Sequence, residues 1–188
     1  MPDRDYYFDK DERTVTIRNE YVKHISKMFQ LTGIDAATAD TYAQTIMKME
    51  TDFAGASRKL ADLRDPYANY NSMAVADVNK LCPAINWESF LADAGIKNID
   101  TIIVGQPEFF KQLNTSLTKE SVDNWKIYLQ WNLINAYADR LSSDFDKEHF
   151  HFYGTILNGT KEQRARWKRV LDAEEDAMGF LLGQLYVE

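Results

Sequence analysis

Apolar residues recur at three- and four-residue spacing through most of this 188-residue chain, the pattern of helices that each bury one face. From Arg13 to Leu31, Val15, Ile17, Tyr21, Ile25, Met28 and Phe29 share such a stripe, and Gly33 ends it. Ala36 to Arg58 repeats the pattern with Ala39, Tyr42, Ala43, Ile46, Met49 and Phe53, behind Asp35 as N-cap. Ser121 to Leu141 predicts a long helix carried by Val122, Trp125, Leu129, Leu133, Ala136, Tyr137 and Leu141. Pro107 at a first helical position opens another through Asn114. Short helices are expected over Ala74 to Leu81 and Asn86 to Ala94, on either side of Pro83. A further helix, Lys147 to Leu157, runs into the stop signal Asn158-Gly159.

The rest breaks the period. Residues 1–12 read as an extended, polar and aromatic lead-in, and Asp65-Pro66 with Asn69-Tyr70-Asn71 as a turn-rich link. Thr101 to Val104 is β-branched and brief; a single short strand has nothing obvious to pair with, so an extended connection is expected there. No internal repeat and no low-complexity segment interrupts the chain. The pattern predicts an all-α fold of roughly seven or eight helices, with residues 1–188 forming one domain and residues 1–12 a lead-in or inter-domain linker.

The last helix, Arg166 to Glu188, carries Trp167, Val170, Leu171, Ala177, Met178, Leu181, Leu182 and Leu185 at helical spacing. Thr160-Lys161-Glu162-Gln163 has the form of a capping box at its start. Its end carries no Gly, Asn, Pro or terminal cation, and the chain finishes on Tyr186-Val187-Glu188 while still apolar. The expectation is a chain cut from a longer one, with the Leu185-Tyr186-Val187 face packing partly against the missing part.

Composition narrows the function classes. A net charge of −7 disfavours a general nucleic-acid or anionic-membrane binder, which draws on clustered Lys and Arg. No run approaches the roughly 18 apolar residues of a membrane span. The start, Met1-Pro2-Asp3-Arg4-Asp5, lacks the apolar core of a signal peptide. Cys82 is the only cysteine, so neither an internal disulfide nor a cysteine-rich metal site is available.

Catalytic signatures are missing: no Gly-rich phosphate loop, no G-x-S-x-G elbow and no H-E-x-x-H helix. His149 and His151, two apart, point to nearly opposite sides of a helix and are read as flanking an aromatic cluster of Phe145, Phe150, Phe152 and Tyr153. Cys82 has no activating neighbour and reads as a buried, inert thiol. Asp172, Glu174, Glu175 and Asp176 read as a solvated helix face. Arg164, Arg166, Lys168 and Arg169 crowd the N-terminal turns of the last helix, where the macrodipole favours acids, so partners are expected for them. Those partners are either acids of this chain such as Asp172, or another domain or acidic ligand. Asn114-Thr115-Ser116 and Asn158-Gly159-Thr160 match a glycosylation pattern too short to weigh.

In one order along the chain stand Pro2-Asp3-Arg4-Asp5-Tyr6-Tyr7, Lys48-Met49-Glu50-Thr51-Asp52-Phe53-Ala54, Asp65-Pro66 with Tyr70-Asn71-Ser72-Met73, and Trp87 with Phe90. Then come Gln106-Pro107-Glu108-Phe109-Phe110, Arg166-Trp167-Lys168-Arg169 and Gly183-Gln184-Leu185-Tyr186-Val187. This series resembles the neprilysin, endothelin-converting-enzyme and oligopeptidase O family of zinc metallopeptidases, in the N-terminal part that precedes the catalytic core. The matching patterns are L-P-x-R-D-Y-Y, M-E-x-x-L-A, D-P…Y-N-K-M, W-x-x-F, P-E-(Y/F)-(L/F), W-(R/K)-R and G-x-L-Y-V. The family's zinc site and its N-A-(F/Y)-Y motif lie later in the parent chain. Asn135-Ala136-Tyr137-Ala138 resembles that motif only by accident, inside a long helix.

The resemblance implies a role without chemistry. The segment would be the smaller helical domain that faces the catalytic domain across a closed cavity, admitting peptides and excluding folded proteins. It implies no catalytic, cofactor or metal residue here, zinc in the full-length parent, and the parent's catalytic domain and peptide substrates as partners. Arg166, Trp167, Arg169, Leu185 and Tyr186 are the candidate inter-domain contacts. The family is often membrane-anchored, extracellular or in the bacterial envelope, with some cytosolic members. The competing readings are a free-standing helical module that binds peptides or a partner protein, and, less favoured, a small enzyme acting through Glu148 to His151.

Overall fold

The two strongest stripes fold onto each other. In a computed structural model describing residues 1–188, α2 (Glu12–Leu31) and α3 (Ala36–Ala56) form an antiparallel hairpin turned at Gly33, whose φ of 95° only glycine adopts without strain. Asp11 and Asp35 cap the two helices, accepting the amides of Thr14 and Thr38 at 3.0 Å each. Ile17, Tyr21, Ile25, Met28 and Phe29 of α2 meet Ala39, Ala43 and Ile46 of α3, where the small alanines let the helices approach. Trp131 of α7 (Val122–Tyr137) and Phe152 and Leu157 of a later π-helix (Phe150–Leu157) complete this core.

A second core lies between α3 and α7 in sequence. Val75 and Val78 of α4 (Val75–Leu81), Cys82, Trp87 and Leu91 of α5 (Trp87–Asp93), and Val104 are buried together. The helix α6 (Pro107–Lys119) joins the two: Phe110, Leu113 and Leu117 pack on the second core, while Phe109 meets Phe53 of α3 at 5.6 Å. Arg58 fastens the same junction, with its guanidinium on both carboxylate oxygens of Glu108 at 3.1 and 3.2 Å and on the Ala68 carbonyl at 2.6 Å.

The all-α reading holds, with five local corrections. Thr101–Ile103 is a strand after all, β2, paired antiparallel with β1 (Ser72–Ala74) in the register Met73 to Ile102. Its partner was hidden because Ser72-Met73-Ala74 abuts α4 and has no β-branched residue. The lead-in is not wholly extended: Asp5–Phe8 forms a single turn, α1. The helix from Pro107 continues past Asn114 to Lys119. The Thr160 capping box does not form; α9 (Arg166–Val187) starts after Ala165 with no side-chain cap, and a kink at Met178 divides it.

The segment read as a helix over 147–157 begins earlier as α8 (Ser143–His149) and widens into the π-helix. A Cβ at Gly154 would collide with the Phe150 ring one turn earlier. Asn158-Gly159 does stop the segment, with Gly159 at φ 71° and its amide on the Thr155 carbonyl at 3.0 Å.

Candidate functional site

The inward side of α3 carries one charge. Beside the buried Met49, Glu50 turns its carboxylate between α1, α2 and α7 and accepts the Tyr7 hydroxyl at 2.7 Å, the Tyr21 hydroxyl at 3.0 Å and the Trp131 indole N–H at 3.3 Å. Burial first, and the Glu50 charge second, push the Tyr7 and Tyr21 phenols far above their usual range, so both stay protonated and donate. Tyr128 is raised for the same two reasons. A pocket of about 300 Å³ opens above this node, at the junction of the lead-in with both cores, walled by Tyr7, Phe53, Arg58, Gln106 and Tyr128.

A second buried polar group is His24 of α2, whose side chain is 1% exposed. Its Nδ1 lies 2.9 Å from Glu148 Oε1. Its ring stacks on Phe152 at 4.9 Å and meets the edges of Trp131 and Tyr153 at 5.7 Å each. Burial lowers its pKa, and the Glu148 hydrogen bond partly restores it.

The largest recess is a cleft of about 600 Å³ between the π-helix and the first turns of α9. His149, its ring tilted against Tyr153 at 4.6 Å, lines it together with Arg140, Arg164, Arg166 and Arg169 and several carboxylates. Two of the four basic residues, Arg164 and Arg169, find acidic partners within the chain here. Arg169 binds Asp146 through two parallel bonds of 2.8 and 2.9 Å, Gln163 adds a third to the same carboxylate at 2.8 Å, and Arg164 pairs with Asp172. Arg166 lies exposed in the same cleft.

The five candidate contact residues therefore separate. Arg166 and Arg169 share the cleft, whereas Trp167 is 62% exposed with Lys168 beside its ring. Leu185 and Tyr186, 70% and 92% exposed, stand at the far end of α9. No residue of α9 is buried. Sequence reasoning missed Glu50 and Asp146 as nodes. The signal available for Glu50 was a carboxylate directly beside the core position Met49; for Asp146 there was none, since its partner is 23 residues away.

His149 packs against Tyr153 of the aromatic cluster, in which Phe152 is buried, while His151 is exposed. No three His, Cys, Asp or Glu side chains come together in a metal-binding group, so these residues do not fit the zinc that the resemblance implies for a parent. No helix is long and apolar enough to cross a membrane. What the arrangement offers is a binding surface: an exposed apolar helix beside a charged, aromatic cleft.

The profile of Peptidase family M13, for its N-terminal region, matches residues 1–188. The chain belongs to this family. It is similar to endothelin-converting enzyme 1 of Rattus norvegicus, 27% identical over 194 residues, covering 100% of this chain and 25% of the relative. Neprilysin-3 of Drosophila melanogaster is 24% identical over 198 residues, again covering 100% of this chain and 25% of the relative. Among solved structures, the Mycobacterium tuberculosis zinc metalloprotease Zmp1 in complex with an inhibitor superposes with a TM-score of 0.89 at 30% identity, over 100% of this chain and 29% of that one. Its open state gives 0.88 with the same coverage. The M13 chain described here thus spans about a quarter of the length of the curated relatives it matches.

Proposed function

We propose that this M13 segment is the helical, non-catalytic part of a neprilysin-like zinc metalloendopeptidase, and that it faces the catalytic part across a cavity it closes to all but peptides. The observation that carries the reading is α9. Its 22 residues bury none of their side chains, while Phe180, Leu185, Tyr186 and Val187 are 101%, 70%, 92% and 85% exposed. Apolar surface of this extent on one helix calls for a covering surface, and relatives about four times as long supply the chain to make one. Residues 1–188 then act as one helical unit with residues 1–12 as the crossing toward the catalytic part. Zinc and its ligands belong to that part, and this segment contributes shape: it excludes water and bulky substrates.

Arg169, held by Asp146, positions the start of α9, and Arg166, Trp167, Leu185 and Tyr186 make the contacts. Reading the gene beyond Glu188 is the first test: an H-E-x-x-H is expected a few hundred codons downstream, and a stop codon directly after Glu188 overturns the proposal. In the full-length enzyme, Leu185→Glu with Tyr186→Glu is expected to raise cleavage of a folded protein relative to a short peptide. An unchanged ratio refutes the gating role. The 188-residue chain alone, loaded with zinc, is expected to hydrolyse no peptide.

A further inference from the structure

The two helices of the hairpin show what a water-facing surface of this chain looks like. On α2 the exposed row is Thr16, Asn19, Lys23 and Lys27, and on α3 it is Thr41, Gln44, Lys48 and Asp52. On α7 the row opposite Trp131 is apolar instead. Val122, Leu129 and Leu133 are 71%, 62% and 61% exposed and Tyr137 is 50% exposed. Ala136 is exposed beside them, and Lys126 is the single charge in the row. The inward side of the same helix is apolar too. Trp131 is buried in the first core, Ile127 and Ile134 pack against that core, and Trp125 and Tyr128 meet Phe53 at 6.2 and 5.9 Å. A helix that is apolar on both sides belongs in an interior.

We propose that the outer row of α7 is an internal docking surface, covered in the whole enzyme by a helix from the chain that follows Glu188. That cover makes α7 a central helix of the helical part and not a wall of the cavity. The inference rests on the reading of this chain as part of a longer M13 enzyme.

The spacing of the row selects a helix as its cover. Leu129, Leu133 and Tyr137 stand four residues apart, a ridge about 12 Å long that fits the groove of a second helix. Gln130 and Asn132 flank the ridge with exposed polar side chains, the rim of a protein contact. The same arrangement exists inside a longer chain: the inhibitor-bound Zmp1 structure superposes on 100% of this chain at a TM-score of 0.89, and the match covers 29% of Zmp1. A segment of the same polypeptide acts at a millimolar effective concentration, which favours it over a second molecule. Its route is open as well. Leu141, just past α7, and Val170 of α9 line the same 600 Å³ cleft, so the exposed faces of α7 and α9 meet there. A segment returning along α9 reaches the α7 ridge at that cleft.

Photo-crosslinking in the full-length enzyme tests this, with Gln130 on the rim replaced by benzoylphenylalanine. Peptide mapping is expected to place the crosslinks within the same polypeptide, between Glu188 and the H-E-x-x-H expected downstream. Crosslinks to a second copy, crosslinks beyond that motif, or none at all overturn the proposal. Leu133→Cys gives a second readout, followed by mass spectrometry of the peptide that carries it. In the 188-residue chain, where Cys82 is buried, position 133 should react freely with a thiol reagent. In the full-length enzyme the same thiol should react about 100-fold more slowly, through local opening of the cover. Equal rates in the two proteins overturn the proposal as well. The cleavage ratio of Leu185→Glu with Tyr186→Glu, which judges the gating role, is a separate measurement, so either proposal can fail while the other stands.

Discussion

Glu50→Ala should be among the most damaging single changes in this chain. The substitution removes the only acceptor shown for the Tyr7 and Tyr21 hydroxyls and the Trp131 indole, and Tyr21 and Trp131 are 2% and 1% exposed. A hydrogen bond to a charged group is worth about 1.5–3 kcal/mol. The two short phenol bonds carry most of the effect, the 3.3 Å indole bond less. Tyr7 lines the 300 Å³ pocket and is only partly buried, so it should recover part of its loss by bonding to water. The expected loss is therefore about 3–5 kcal/mol, against about 1–2 kcal/mol for Glu50→Gln, which keeps one carbonyl acceptor. With a urea dependence of about 2 kcal/mol per molar, Glu50→Ala should lower the unfolding midpoint by roughly 2 M. Urea titration followed by circular dichroism and by tryptophan fluorescence measures both. A loss under about 1 kcal/mol would mean that the node is not structural and that the phenols find other acceptors.

Gly154→Ala should destabilise by about 1–3 kcal/mol, because the added methyl meets the Phe150 ring; thermal unfolding with no change in midpoint would place that ring elsewhere. Stability should fall as pH drops below 6.5, the ordinary histidine value. Burial lowers the pKa of His24 and of His149 in the folded chain, so the unfolded chain binds more protons there and the loss levels off below the folded pKa values. Urea midpoints that stay constant or rise from about pH 7.5 to about pH 5.5 contradict this. Cys82, 0% exposed and with its thiol pKa raised by burial, should react with a thiol reagent only as fast as the chain unfolds; rapid labelling of the native chain argues otherwise. Phe180→Ser with Leu185→Ser should reduce hydrophobic-dye binding while shifting stability by less than about 0.5 kcal/mol, since neither side chain is buried.

The proposed role of this M13 chain rests on the open apolar face of α9. Elsewhere the α2 stripe is matched by α3 and the second core by α6, while the stripe expected to carry α7 turns outward and Trp131 packs inward in its place. Part of α7 remains open as well, with Val122, Leu129 and Leu133 more than half exposed, at 71%, 62% and 61%. The start of α7 is capped by Ser121, whereas α9 has no side-chain cap and is attached to the rest of the chain at its start. Arg169 and Asp146 provide that attachment for α9.

The sequence by itself determined the helices, because their apolar spacing, the Asp35 cap and the Gly33 and Gly159 turns are local properties that each segment carries alone. It also determined the family, through short motifs kept in order from Pro2 to Val187. Only the tertiary structure decided what meets what. The β1–β2 ribbon needs two segments about 30 residues apart, a separation spanned by two intervening helices. The acceptor role of Glu50 needs donors from three other elements, and the partner of Arg169 sits in α8 rather than on its own helix. Sequence periodicity reports which face of a helix is apolar. Whether that face is covered, and which charge is buried beside it, depends on long-range packing that no local window contains.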